Sequence, residues 1–84
     1  MTDETTLEIA TMRERIDAID QAIIALWRER ADLSGQIGAA RLAAGGTRLV
    51  LAREQQIVSR FRVGIGNDGT QLALLVLRAG RGAL

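Results

Sequence analysis

Two charged residues interrupt series of apolar residues that would otherwise be continuous. Arg30 stands within a long series with alternating steps of three and four, which runs from Ile9 to Ala40, and Glu54 stands within a shorter series that starts at Val50. A single charge in such a series is ordinarily a register-fixing polar residue or a side chain that reaches out to water. Arg30 and Glu54 could also simply pair with each other.

Three further arginines lie beside these two series, and together they favour a binding site. They are Arg13, Arg41 and Arg53. Because Arg30 and Arg41 are three helical turns apart, they share one face of a helix at a separation of about 16 Å. An antiparallel second helix would bring Arg53 and Glu54 back between them.

Several guanidinium groups around one carboxylate repel each other unless an anion completes the site. All 11 basic residues of the chain are arginines, and arginine binds carboxylates in a bidentate geometry that lysine lacks. Phosphate is less favoured as the ligand because no Gly-rich loop leads from a strand into a helix. The expected ligand is therefore a small polycarboxylate.

The composition excludes most other chemistry. The 84 residues include no Cys, Pro, His or Lys, so disulfides, most zinc sites and imidazole catalysis are excluded and no cofactor or metal is expected. A net charge of +1 lacks the basic excess of a nucleic-acid-binding protein. The polar, acidic start does not resemble a secretory signal, and no apolar run approaches a membrane span. We therefore expect a cytoplasmic protein that binds neither nucleic acid nor membrane.

The long apolar series, here called the seam, predicts the element on which the site is built. Its period indicates one helix that reaches about Ala43, and the seam alone would be about 45–50 Å long. That length exceeds the width of a compact domain of this size, so part of the seam must be covered from outside the protomer. A second copy of the chain is the simplest cover. We therefore predict an obligate dimer built on a long antiparallel helix pair.

The chain is predicted to form one all-α domain over residues 1–84, a three-helix protomer with a disordered start (1–6) and a flexible tail (80–84). Gly45-Gly46 should end the first helix, and Thr47 should cap the second because Thr is favoured at that position. The remaining predicted elements are a second helix from Arg48 to about Arg62, a turn at 64–69 and a third, buried helix at 70–79.

Four segments of the sequence resemble the all-helical, AroQ-type chorismate mutases. They are residues 13–20, 29–33, 37–41 and the pair Arg53-Glu54, and the resemblance covers the chain from about Met12 onward. Residues 44–50 and 77–82 resemble the short actinobacterial intracellular subclass in particular. The implied fold is the chorismate mutase type II fold, with three-helix protomers in an intertwined homodimer.

The resemblance also implies an activity and a role for each unusual charge. The substrate would be chorismate, a dianion, which rearranges to prephenate by a Claisen reaction on the route to phenylalanine and tyrosine. Arg30 and Arg53, with Arg13 from the partner protomer, would bind the two carboxylates and hold the reactive conformer. Arg41 would donate to the ether oxygen, where negative charge grows in the transition state, and Glu54 would accept a hydrogen bond from the ring hydroxyl.

Two departures from the larger members of the family suggest an incomplete site. Val50 stands where they carry an acidic residue that helps bind the hydroxyl, and their glutamine at the ether oxygen has no obvious counterpart. In the resembling subclass a partner enzyme, DAHP synthase, orders the incomplete active site. We expect the same partner here, bound partly through the tail that contains Arg81.

Two other functions remain open from the sequence. One is a lyase of the same fold that splits isochorismate into salicylate and pyruvate, which product analysis would distinguish. The other is a non-enzymatic helical dimerisation module, in which the arginines are surface or register features. That module would not bind an analogue of the chorismate transition state.

Overall fold

The protein forms three α-helices and, within the described residues, no strand. The computed structural model describes residues 4–82, with α1 at Glu4–Ala43, α2 at Leu51–Ile65 and α3 at Asp68–Arg81. The 40 residues of α1 correspond to about 60 Å of helix, which accounts for most of the 66 Å length of the molecule. The predicted all-α, three-helix protomer is confirmed.

The core of the protomer lies around α3, which packs against both α1 and α2. Its buried apolar side chains are Ile57 of α2 and Ala73, Val76 and Leu77 of α3. By contrast, α1 has no buried residue, and the large apolar side chains of the seam, from Ile9 to Ile37, are 41% to 63% exposed. A single protomer therefore leaves the seam uncovered.

The connection between α1 and α2 is longer than predicted. Gly45, with φ of 85°, lies just after the end of α1, as expected, and the Gly46 amide donates to the Arg41 carbonyl at 2.7 Å. The predicted cap at Thr47 is wrong, because its hydroxyl donates to the Leu49 carbonyl at 2.7 Å and α2 begins only at Leu51. The residue that precedes α2 is Val50, whose backbone is extended, and no side-chain hydrogen bond caps the helix.

The connection between α2 and α3 is shorter than predicted. The second helix extends to Ile65 and ends at Gly66, whose φ of 101° is favourable only for glycine. Gly69 lies inside α3, and the close approach of α3 to α2 requires glycine there because a Cβ would clash with the Phe61 carbonyl. The predicted turn at 64–69 is therefore reduced to Gly66 and Asn67.

Both ends of the chain differ from the sequence prediction where they are described. Helix α1 starts at Glu4, within the segment expected to be disordered. Helix α3 continues through Gly80 and Arg81, which the sequence predicts to lie in the flexible tail, and Gly82 is its C-cap. Residues 1–3 and 83–84 of these two predicted segments lie outside the described residues. None of the helices in residues 4–82 is long and apolar enough to cross a membrane.

Candidate active site

A pocket of about 500 Å³ lies where the second half of α1, the start of α2 and the end of α3 meet. Its wall combines apolar side chains with a dense group of charges. The apolar part includes Leu33, Ile37, Ile57 and Leu77, and the charged part consists of five arginines and one glutamate, namely Arg30, Arg41, Arg48, Arg53, Arg81 and Glu54. We refer to this cavity as the arginine pocket.

The structure brings together most of the residues selected from the sequence. Arg30, Arg41, Val50, Arg53 and Glu54 all line the arginine pocket. They converge because Gly45 and Gly46 turn the chain after α1, so that the first residues of α2 face the second half of α1.

Arg13 is the exception. It is not among the residues that line the arginine pocket. Arg13 precedes Arg30 by 17 residues on the same helix, which is a separation of about 25 Å. An arginine side chain cannot bridge that distance within one protomer. A role for Arg13 in this pocket therefore requires a second copy of the chain.

Three hydrogen bonds hold arginine side chains of the pocket. Arg30 Nη1 donates to the Val76 carbonyl of α3 at 3.5 Å. Arg41 Nε donates to the Thr47 carbonyl of the α1–α2 loop at 3.3 Å. Arg81 Nε donates to Glu54 Oε2 at 3.0 Å, and this pair is an ion pair whose side chains are each only 18% exposed.

Two of the pocket arginines were missed as site residues from the sequence. The sequence predicts Arg48 in the first turn of a helix, but it belongs to the loop before α2, where its side chain packs near Gly38 of α1. The sequence predicts Arg81 in a flexible tail, but it belongs to the last turn of α3. Neither residue has a local sequence signal of function. Arg48 reaches the pocket because α2 begins only at Leu51, and Arg81 reaches it because α3 continues to Arg81.

The electrostatics of the arginine pocket favour an anionic ligand. Arg81 neutralises Glu54, whereas within residues 4–82 the other four pocket arginines form no ion pair. Guanidinium groups that converge on a partly apolar cavity bind carboxylates through charge-assisted, bidentate hydrogen bonds. The described residues contain no group of three or more His, Cys, Asp or Glu side chains that could hold a metal ion. The cavity thus suits a small molecule with more than one carboxylate.

Comparison with known proteins identifies the family. The model of the chorismate mutase type II family matches residues 12–74. The intracellular chorismate mutase of Mycobacterium tuberculosis is 52% identical over 77 residues, which are 92% of this chain and 72% of that protein. The intracellular chorismate mutase of Mycolicibacterium smegmatis is 47% identical over 77 residues, covering 92% and 74% of the two chains.

A solved structure agrees with these sequence relatives. It is a non-covalent complex of DAHP synthase and chorismate mutase from Corynebacterium glutamicum with a bound transition state analog. One of its chains matches this protein with a TM-score of 0.91 and 41% identity, over 98% of this chain and 99% of that one. The protein belongs to the chorismate mutase type II family. It is an enzyme, a chorismate mutase of the isomerase class, and the resemblance read from its sequence is confirmed.

Proposed function

We propose that the arginine pocket binds chorismate and promotes its rearrangement to prephenate, and that the residues selected from the sequence carry the reaction. The observation that supports this assignment is the set of five arginines around one carboxylate in a cavity of about 500 Å³. In the rearrangement the ether C–O bond breaks as a new C–C bond forms, and all electrons and protons stay within the substrate. No nucleophile or proton shuttle is needed, which fits a chain without His, Cys or Lys.

Substrate carboxylates are held by arginines on two helices. Arg30 is partly buried, and its contact with the Val76 carbonyl directs it across the α1–α3 interface into the pocket. Arg53 enters from α2 on the other side. Binding the two carboxylates between these elements selects the compact conformer in which the reacting carbons are close, so part of the entropic barrier is overcome on binding.

Arg41 stabilises the transition state. Negative charge develops on the ether oxygen as the C–O bond lengthens, and a guanidinium donor placed there binds the transition state more strongly than the ground state. In the structure Arg41 Nε donates to the exposed Thr47 carbonyl. Because the two Nη groups of the guanidinium carry further N–H donors, Arg41 can keep this contact with the loop while an Nη group donates to the ether oxygen.

The functional unit is a homodimer with shared sites. The uncovered seam of α1 supports this proposal, because so many half-exposed apolar side chains along one helix are typical of an interface. The distance of Arg13 from the pocket of its own protomer supports it as well. In an antiparallel arrangement of two α1 helices, the first half of one helix lies beside the second half of the other, so that Arg13 of each protomer reaches the partner's pocket.

The protein acts in the cytoplasm, in the synthesis of phenylalanine and tyrosine, and it associates with DAHP synthase. The neighbouring structure from Corynebacterium glutamicum supports the association, since it is a complex of those two enzymes. Here Val50 leaves one wall of the pocket apolar, and Arg41 is held by a loop carbonyl. A partner that reorders this loop would therefore raise kcat/KM.

The experiment is an absorbance assay of chorismate loss with the purified chain, alone and with DAHP synthase. We expect prephenate as the product, inhibition by a bicyclic transition-state analogue, and a higher kcat/KM with the partner. Release of pyruvate from isochorismate without mutase activity would assign the pocket to a lyase. Failure to bind the analogue in either condition would refute a chorismate site.

A further inference from the structure

We infer that Arg81 is a positioning residue, which orients Glu54 so that one carboxylate oxygen is free to accept the hydrogen bond of the substrate's ring hydroxyl. This inference rests on the proposed function of the arginine pocket. Arg81 Nε binds Glu54 Oε2 at 3.0 Å, and both side chains are only 18% exposed. Because an ionised carboxylate has acceptor sites on both oxygens, Oε1 stays available for a ligand.

The backbone holds Arg81 at this place through a close approach of α3 to α1. A Cβ on Gly80 would clash with the Cβ and Oγ of Ser34, and a Cβ on Gly35 would lie 3.9 Å from the Gly80 carbonyl. Glycine at position 80 therefore allows the end of α3 to pack directly on α1, whereas a side chain at position 35 would make only an ordinary contact. The next residue, Arg81, then projects into the pocket between α1 and α2.

The charges of the pocket explain why Glu54 needs such a partner. Four other arginines line the same cavity, and each attracts a carboxylate that is free to rotate. If Glu54 turned to one of the arginines that hold the substrate, both groups would be lost to binding. The Arg81 side chain prevents this by pairing with Glu54 from the end of α3.

The first test replaces Arg81 in the full-length chain. Arg81→Met keeps most of the length of the side chain and removes its charge, and it should lower kcat/KM for chorismate about tenfold, as expected for loss of a hydrogen bond to a charged group. Arg81→Lys should recover part of this loss. The matched control is Arg78→Met, because Arg78 lies in the same last turn of α3, is exposed and does not line the pocket. That variant should stay within about twofold of the wild type.

The second test separates positioning from a general structural or electrostatic role. If Arg81 acts through Glu54, then Arg81→Met should have almost no further effect in a Glu54→Ala background, which removes the acceptor, because mutations that act through one interaction are not additive. The same loss should disappear for a substrate analogue that lacks the ring hydroxyl, since the oriented acceptor then has no donor. Gly80→Ala, which displaces the end of α3, should reproduce the pattern in a folded variant.

The outcomes distinguish this inference from the proposed function. A wild-type chain without mutase activity would refute the proposed function itself. With an active wild type, an undiminished loss in the Glu54→Ala background or with the analogue would show that Arg81 acts directly on the substrate or on the fold. Should Arg81→Met fail to fold by circular dichroism, Arg81→Lys and Gly80→Ala provide the same two comparisons. An unchanged kcat/KM in Arg81→Met would also overturn the inference.

Discussion

Replacing Arg41 by alanine tests the electrostatic mechanism most directly. In the free enzyme the Arg41 side chain is exposed, and its described hydrogen bond is a long one, 3.3 Å to the carbonyl of Thr47, which is also exposed. Water can replace this donor, so Arg41→Ala should change the free energy of unfolding by about 1 kcal/mol or less. The variant is therefore expected to fold and to keep its pocket.

The effect on catalysis should be much larger than the effect on stability. Loss of one preorganised donor to a developing oxyanion costs about 3–4 kcal/mol of transition-state stabilisation, or about 10²–10³ in kcat. Since the interaction of Arg41 with the ether oxygen strengthens as negative charge develops there, binding of the ground state depends on it little. The change in KM should therefore be small compared with the change in kcat.

The measurement is steady-state chorismate loss, with kcat and KM determined separately. Arg48→Ala is the matched control, because Arg48 is also an exposed arginine that lines the pocket but has no proposed contact with the ether oxygen. That control should raise KM and leave kcat within about threefold. A kcat for Arg41→Ala as high as that of the control would refute the assignment of the ether oxygen to Arg41.

Three further predictions concern the dimer and the apolar wall of the pocket. The chain should sediment as a dimer at micromolar concentration, because the seam is uncovered in one protomer; a helical monomer at that concentration would contradict the shared site. Arg13→Ala and Arg30→Ala should each be nearly inactive. Subunit exchange between the two variants should restore activity, since a mixed dimer contains one site with both arginines, and no recovery would exclude Arg13 as a residue of the partner's pocket. Val50→Asp should raise the activity of the isolated enzyme, because Val50 lines the pocket and an acid there adds an acceptor for the ring hydroxyl; a lower kcat/KM in a folded variant would count against it.

The spacing of the apolar residues and the positions of the charged ones were enough to predict helix α1 and most of the residues that line the arginine pocket. A seam with steps of three and four can be satisfied only by a long helix, and α1 is indeed 40 residues long. Arg30 and Arg41 lie on one face of that helix by its geometry alone. Once the glycine pair turns the chain, Arg53 and Glu54 have to face them, so these four residues could be selected without coordinates.

The two pocket arginines that the sequence prediction missed, Arg48 and Arg81, depend on where α2 begins and where α3 ends. Local preferences predicted a cap at Thr47 and a helix end before Gly80, since Thr favours caps and Gly weakens helices. In the structure the Thr47 hydroxyl binds a loop carbonyl, which leaves Arg48 in the loop that borders the pocket. Position 80 lies within α3 and has to be glycine, because a side chain there would clash with Ser34. That requirement comes from a helix 46 residues earlier in the chain, so only the tertiary structure decides that Arg81 reaches Glu54.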